Sequence, residues 1–374
     1  MDPRVTKLAE LLIDYSVEVK PGESLLVEAI GTDTLPLVEE IVRVSTRKGA
    51  CVHHNIHDPT VLYTFLSNAN EEQVAALTEH ALSQMRAMDC YIGVRGPSNV
   101  CELACVPPAH MAWYTKHFVD AVHMKERVPN SRWVVLRYPN SAMAQLAKQS
   151  RRTFEDFYFQ VCTMDYARMS RAMDGLKDLL DRTDTVEIKA PGTELSFSVA
   201  GMPAVKCDGH LNIPDGECYT APVRDSLEGS IRFNAESLYE GKVFGPIALT
   251  FDAGRCVAVD AGSSTKAVEE ILDRDEGARY TGEFALGVNP YIEKPMLDTL
   301  FDEKIGGSVH LALGNSYENC DNHNKSQIHW DLVQIQTPAH GGGEICFDGT
   351  LVRRDGLFVH EGLLDLNPDR LRAD

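Results

Sequence analysis

The feature that most restricts the folds open to this chain is a change of rhythm at Arg182-Thr183-Asp184. Before it, helical and strand-like patterns alternate. Residues 5–16 place Val5, Leu8, Leu11 and Leu12 on one helical face, and the Pro21-Gly22 turn leads into the strand-like Ser24-Leu25-Leu26-Val27-Glu28-Ala29. Residues 37–48, with Pro36 suited to a first turn and Gly49 to an end, read as a second amphipathic helix ahead of Ala50-Cys51-Val52-His53-His54-Asn55. A third helix over 71–86 precedes a strand over 89–94, a fourth strand follows at 131–137, and a helix over 152–180, broken near 162–165, ends the region. Strands separated by helices need crossover connections, which build an open, mainly parallel sheet. No GxGxxG or GxxxxGK follows any of these strands, so the usual nucleotide-binding signatures are missing.

After residue 184 the pattern turns to strands, at 185–189, 194–199, 229–233, 243–251 and 255–260, with an Asp252-Ala253-Gly254 turn and one helix over 264–274. The expected fold is therefore an α/β N-terminal domain with an open, mainly parallel sheet over 1–183, and a β-rich α+β C-terminal domain over 184–374 that carries the metal site. The first domain is expected to act as a wall or lid over a cleft, where ligand sites often lie. A chain of 374 residues, 44% of them hydrophobic, can fill two cores.

Candidate chemistry sits in the second domain. In Ser326-Gln327-Ile328-His329-Trp330-Asp331, His329 and Asp331 are two apart, so on a strand both side chains leave one face and can reach one ion. Similar settings hold Glu217 in Asp215-Gly216-Glu217, Glu283 in Gly282-Glu283-Phe284 and His310 in Val309-His310-Leu311, with the phenol of Tyr317 nearby. Glu283 interrupts an apolar run, and a buried carboxylate needs a partner, which a metal supplies. Five oxygen and nitrogen donors can hold two divalent cations, a pair suited to hydrolysis because it makes hydroxide from water at neutral pH and polarises a carbonyl. A thiolate-free set suits zinc, cobalt or manganese and is compatible with iron. These residues are expected at a rim rather than in the main core.

With those pieces in view, the chain resembles the M29 metallopeptidases, the aminopeptidase T and S group. The likeness is carried by Pro214-Asp215-Gly216-Glu217-Cys218-Tyr219-Thr220-Ala221-Pro222, Gly282-Glu283-Phe284-Ala285-Leu286-Gly287, His310-Leu311-Ala312-Leu313-Gly314 with Tyr317, and Ile328-His329-Trp330-Asp331, in the family's order and near its spacing. Weaker similarity runs from Val19-Lys20-Pro21-Gly22 to the Asp348-Gly349 and Asp355-Gly356 turns. The resemblance implies that Glu217, Glu283, His310, Tyr317, His329 and Asp331 are the metal site, with Glu217 and Tyr317 also catalytic. It further implies an aminopeptidase with two divalent ions, acting on peptides as a homodimer. Glu217 and Asp331 would bridge or flank the ions, His310 and His329 would each anchor one, and Glu283 would complete the second site. The run Leu332-Val333-Gln334-Ile335-Gln336 departs from the family's usual Phe-Met-Ile-Gly-like continuation. A dihydroxypyridine dioxygenase shares the superfamily yet uses one iron held by two histidines and a carboxylate, so a mononuclear Fe(II) ring-cleaving dioxygenase acting on a small aromatic molecule is the alternative. Retention of Glu217, Glu283 and Tyr317 favours the aminopeptidase.

Several other features carry less. With 55 acidic and 36 basic side chains the net charge is −19, which argues against a nucleic-acid binder, since such proteins displace counterions with a positive surface. The N-terminal residues lack the order of a signal peptide and no run nears the roughly eighteen apolar residues of a membrane helix, so a soluble cytoplasmic protein with no membrane partner is expected. The ten cysteines are scattered and most read as buried thiols, Cys218 among them. His53, His54 and His57 are the densest histidine cluster, but alternation points His53 and His54 to opposite faces. Gly341-Gly342-Gly343 leads to a strand rather than a helix, which argues against a phosphate loop. Arg224 and Lys325, near ligands in sequence, are candidate oxyanion stabilisers.

Overall fold

Strands Ser24–Ile30, Cys51–His57, Cys90–Arg95 and Arg132–Arg137 pair in parallel, as the helix–strand alternation requires. Their order across the sheet is Cys51–His57, Ser24–Ile30, Cys90–Arg95, Arg132–Arg137, and Asn212–Ile213 returns to add a fifth parallel strand. Residues 2–372 are described in this computed structural model. The chain divides into two compact units, one built from the chain up to Met164 with Gly209–Ile213, the other from Asp165–Asp208 with everything from Pro214 onward. No helix among the described residues is long and apolar enough to cross a membrane.

Local chemistry explains the helix limits in the first unit. Asp2 caps Pro3–Leu11, which continues as a π-helical turn over Leu12–Ser16. Leu35–Lys48 ends at Gly49, whose φ of 91° suits a residue without a Cβ. A reciprocal Asn70–Gln73 capping box starts Glu71–Met85. Helix Pro59–Asn68, started by the Asp58 side chain, and the stretch Pro108–Tyr114 with the π-helical Thr115–Arg127 lie where no regular element was expected.

The long helix breaks where expected, into Arg151–Cys162 and Tyr166–Leu180, with Asp165 capping the second piece. Tyr166–Leu180 belongs to the second unit and buries Tyr166, Met169, Met173, Leu176 and Leu180 along one stripe.

Two antiparallel sheets make up most of the second unit. An eight-stranded sheet runs in the order Arg255–Asp260, Ile247–Asp252, Glu228–Phe233, Thr193–Ser198, Thr185–Ala190, Glu344–Phe347, Thr350–Arg354, Leu357–Phe358. The expected single strand over 243–251 is two: Lys242–Phe244 pairs with Ser237–Tyr239 in a separate hairpin, and the long strand starts only at Ile247. Pro246 lies between them and has no N–H to give a ladder. The second sheet has five strands, ordered His329–Ile335, Ser308–Gly314, Thr281–Gly287, Glu217–Thr220, Val205–Cys207. The two sheets meet through Phe197 and Phe284, rings 5.0 Å apart and edge to face. Gln334 also donates across to Thr193 Oγ1 at 2.7 Å.

Candidate metal centre

The pairing register of the five-stranded sheet decides which side chains meet. Glu283 lies opposite Ala312, and Ala312 opposite Asp331; His310 lies opposite Ala285, Gly314 opposite His329, and Glu217 opposite Gly287. Directly paired residues, and residues two apart on a strand, share a face. Glu217, Glu283, His310, His329 and Asp331 therefore all leave one face, spaced by the small residues Ala285, Gly287, Ala312 and Gly314. The opposite face carries Phe284, Leu286, Val309, Leu311, Leu313, Trp330 and Leu332, all buried.

One irregularity sets this alignment. The register shifts by one residue between Thr281 and Glu283, which leaves Gly282 as a bulge. Without it Glu283 would point into the apolar layer. Only glycine fits there, because a Cβ on Gly282 would lie 2.4 Å from the Asn315 carbonyl oxygen. Gly314, at φ +100°, turns the chain out of the next strand.

His310 Nε2 stands 3.4 Å from Glu217 Oε2 and 3.4 Å from Glu283 Oε1. His329 Nε2 is 3.5 Å from Glu283 Oε2 and 3.5 Å from Asp331 Oδ1. Glu283 thus lies between the two imidazoles, a shared position that sequence reasoning gave to Glu217 and Asp331. His329 Nδ1–H donates to the Asn315 carbonyl at 2.8 Å, which fixes the ring and turns Nε2 to the carboxylates. Glu217 Oε2 and His329 Nε2 are buried without a hydrogen-bond partner.

Two triads of donor atoms, Glu217–Glu283–His310 and Glu283–His329–Asp331, each fall within 4.8 Å of one another, and so does Glu303–His310–Asp331. Such orphaned atoms and mixed oxygen and nitrogen donors fit divalent cations.

Crowding of charge shapes the titration of these groups. Burial opposes the charge on His310, but Glu283, Glu217 and Asp331 outweigh it and push the imidazole up to about 9. Burial likewise opposes charge on His329, and Asp331 with Glu283 raises it. Asp331 is held down to about 2, with burial overcome by His329, His310 and Lys304.

The expected rim location is not what the structure has. Glu217, Glu283 and His310 are 5%, 3% and 0% exposed, and the side chains of His329 and Asp331 23% and 9%. The apolar residues after each ligand draw the strands into the interior. Tyr317 alone stands well exposed, at 45%, its ring 4.7 Å from that of His329.

Two residues at the centre escaped sequence reasoning. Lys304 is 1% exposed, with Nζ 3.2 Å from Glu217 Oε1 and in contact with Glu303. In Phe301-Asp302-Glu303-Lys304-Ile305 these charges look like an ordinary solvated face, and no local signal sets them apart.

The cations proposed from sequence are engaged elsewhere. Arg224 stacks on Tyr280 at 3.7 Å and donates to Asn324, and Lys325 pairs with Asp321 at 3.2 Å. His53 and His54 lie exposed on Cys51–His57, and His57 pairs with Glu28 at 3.0 Å. Cys218 is buried against Met173, as a packing thiol would be.

The loop behind His329 is knit by buried asparagines. Asn322 donates to the carbonyls of Pro222 and Thr281, and Asn324 to those of Gly277 and Gly314. Beside the cluster, a shallow cleft is lined by Glu236, Ser237, Thr299, Asp302, Glu303 and Asp331.

A family model described as thermophilic metalloprotease (M29) matches residues 1–345. Aminopeptidase 2 of Geobacillus stearothermophilus is 26% identical over 362 residues, 84% of either chain. Aminopeptidase T of Thermus thermophilus is 28% identical over 349 residues, 83% of this chain and 84% of the other. Among solved structures, wild-type AmpT from Thermus thermophilus superposes with a TM-score of 0.77 at 24% identity, over 96% of this chain and 99% of that one. A 2,5-dihydroxypyridine dioxygenase from Pseudomonas putida KT2440 gives a TM-score of 0.62 at 12% identity, over 97% and 99%. Both superpositions speak to fold alone.

Proposed function

The chain belongs to the M29 metallopeptidase family and is a metal-dependent aminopeptidase, and we propose that it works with two divalent ions held by Glu217, Glu283, His310, His329 and Asp331, with Tyr317 at the rim. The observation that carries this reading is the position of Glu283, whose two oxygens each lie near a different imidazole. Glu217 with His310 would complete one ion's donors, and His329 with Asp331 the other's. When bound, such ions supply Lewis-acid polarisation of a carbonyl and a more acidic water.

The protein's own groups do the rest. Asn315 holds the His329 ring through Nδ1, so that Nε2 stays a lone-pair donor. Glu217 Oε1 is held by Lys304, which leaves Oε2, buried and without a hydrogen-bond donor of its own, as the oxygen that would hold an ion with His310. Tyr317, exposed and beside His329, is placed to donate its hydroxyl to a developing oxyanion.

A mononuclear iron dioxygenase would need only two histidines and one carboxylate. The donor triads here exceed that, which supports two ions.

Acetylating the amino terminus tests the exopeptidase reading. A site built for a charged amine rejects a blocked one by roughly 10⁴-fold, because its polar groups are left unpaired. Hydrolysis of amino-acid anilides and short peptides should therefore vanish on N-acetylation. Equal cleavage of free and acetylated substrates would exclude aminopeptidase action, and oxygen uptake with a dihydroxylated ring but no peptide cleavage would establish the dioxygenase instead.

A further inference from the structure

Glu217 belongs to a second cluster on its other side. Cys207 lies directly opposite Glu217 in the sheet, and the donor atoms of Cys207, Asp215 and Glu217 fall within 4.8 Å of one another. A thiol with two carboxylates at that spacing is a donor set for a soft divalent cation such as zinc or cadmium. This cluster is separate from the two triads proposed to hold the catalytic ions, although it shares Glu217 with one of them.

Lys304 faces this cluster. Its ammonium is 3.2 Å from Glu217 Oε1, touches Glu303, and lies close enough to Asp215 for that carboxylate to stabilise its charge. The side chain is buried, at 1% exposed. Its backbone is fixed as well. Asn289 N–H donates to the Lys304 carbonyl at 3.1 Å, and the Asn289 side chain donates to the Asp215 carbonyl at 2.8 Å, so one residue ties the lysine to the acidic turn. A Cβ on Gly306, just beyond, would meet the Asn289 carbonyl oxygen at 2.8 Å, which leaves this connection little freedom.

We propose that Lys304 is a built-in cation occupying a latent third metal site formed by Cys207, Asp215 and Glu217, and that it thereby confines metal ions to the Oε2 side of Glu217. The inference rests on the two-ion reading only for what lies on that other side. The latent site stands on its own donors. An ion entering it would displace the ammonium and take the proton from the Cys207 thiol into solvent, forming a metal–thiolate bond. Two positive groups cannot share the space, since like charges a few ångströms apart in a poorly solvated interior repel strongly.

The test uses the full-length protein and cadmium, whose thiolate complexes absorb in the ultraviolet. None of the donors proposed for catalysis is a thiol, so the part of this band that is lost with Cys207 reports the third site. Lys304→Met keeps the side chain's length and removes its charge. The expected result is one more tightly bound Cd²⁺ per chain than wild type by calorimetric titration, with a new thiolate band that disappears in the Lys304→Met, Cys207→Ser double variant. Exposed cysteines elsewhere give the same background in every variant. Lys304→Gln provides the same readout should the methionine variant fail to fold. The proposal is overturned if neither uncharged variant gains an ion, or if wild type already shows a band that Cys207→Ser removes. Failure of the two-ion reading would look different, as a lower count in wild type with the difference between wild type and Lys304→Met preserved.

Discussion

Lowering the pH should weaken the first unit through a single histidine, His123. It lies 14% exposed on the π-helical stretch, and Arg127 Nε–H donates to its Nδ1 at 3.2 Å, an interaction that protonation at that nitrogen would destroy. Glu28, on the neighbouring strand, stands 4.0 Å from Nε2 and favours the charge, while Arg127, Arg95 and His57 oppose it. Tyr91 donates its hydroxyl to the same Glu28 at 2.6 Å, which spends part of that carboxylate's capacity. Burial dominates and holds His123 down to about 4 from an ordinary value near 6.5.

The unfolded chain therefore binds a proton that the folded chain refuses between those values, and stability must fall as pH decreases through that window. The full difference corresponds to about 3 kcal/mol at 1.36 kcal/mol per unit, of which about 2 kcal/mol is lost between pH 8 and pH 5. For a unit of this size that is about 4–8 °C in Tm. His123→Gln keeps an oxygen for Arg127 but cannot be protonated. Differential scanning calorimetry of wild type and His123→Gln at both pH values should show the variant losing about 4–8 °C less on acidification. His57 and Glu28, present in both proteins, cancel. Equal losses in the two would refute the reasoning.

Elemental analysis of protein saturated with zinc, cobalt or manganese should give two ions per chain, with peptidase activity lost on chelation and regained on adding metal. A count that never exceeds one would remove the shared role of Glu283. His329→Gln and Asp331→Asn should lose metal while their thermal transitions stay close to that of metal-free wild type, because each keeps nearly the size of the original side chain and leaves the apolar layer untouched; His53→Gln should keep its metal, and the opposite pattern would put the centre in the wrong unit. Phe284→Ala removes a fully buried ring packed on Phe197 and should cost about 3–5 kcal/mol in urea denaturation. A cost under about 1 kcal/mol would mean that the two sheets are not closely packed there.

Periodicity made most of the fold legible. In the first half the strands are bounded by helical pattern and, apart from the polar edge strand Cys51–His57, are largely apolar runs, so parallel pairing follows from connectivity. The failures have physical causes. Residues 243–251 read as one strand because alternation continues across Gly245-Pro246, while the break comes from proline's missing donor. Pro108–Tyr114 and Thr115–Arg127 escaped notice because their apolar residues follow no clean helical stripe.

At the centre, His329 and Asp331 were legible from spacing, and Glu283 from its cost in an apolar strand. That Glu283 stands between both histidines was not, because a one-residue bulge at Gly282 sets its alignment and a bulge leaves no periodic trace. Burial of Asn322 and Asn324 was hidden for a related reason: their partners are backbone carbonyls from four separate segments.

The arrangement of the five-stranded sheet explains why fold and chemistry can be altered separately. Along Thr281–Gly287 and Ser308–Gly314, side chains alternate between a large apolar residue on one face and either a donor or a small residue on the other. The apolar face supplies cohesion through Phe284, Leu286, Leu311 and Leu313, all fully buried. On the donor face, Ala285, Ala312, Gly287 and Gly314 keep space open between charged groups, and filling it with a larger residue would bring hydrocarbon against carboxylates that need polar partners. Exchanging a donor for its uncharged isostere leaves the apolar face untouched, so metal should leave before the fold does. Exchanging one of those small residues should disturb the centre first. The ladder hydrogen bonds of the sheet hold the backbone in either case, which is how a rigid element presents donors with little reorganisation when an ion binds.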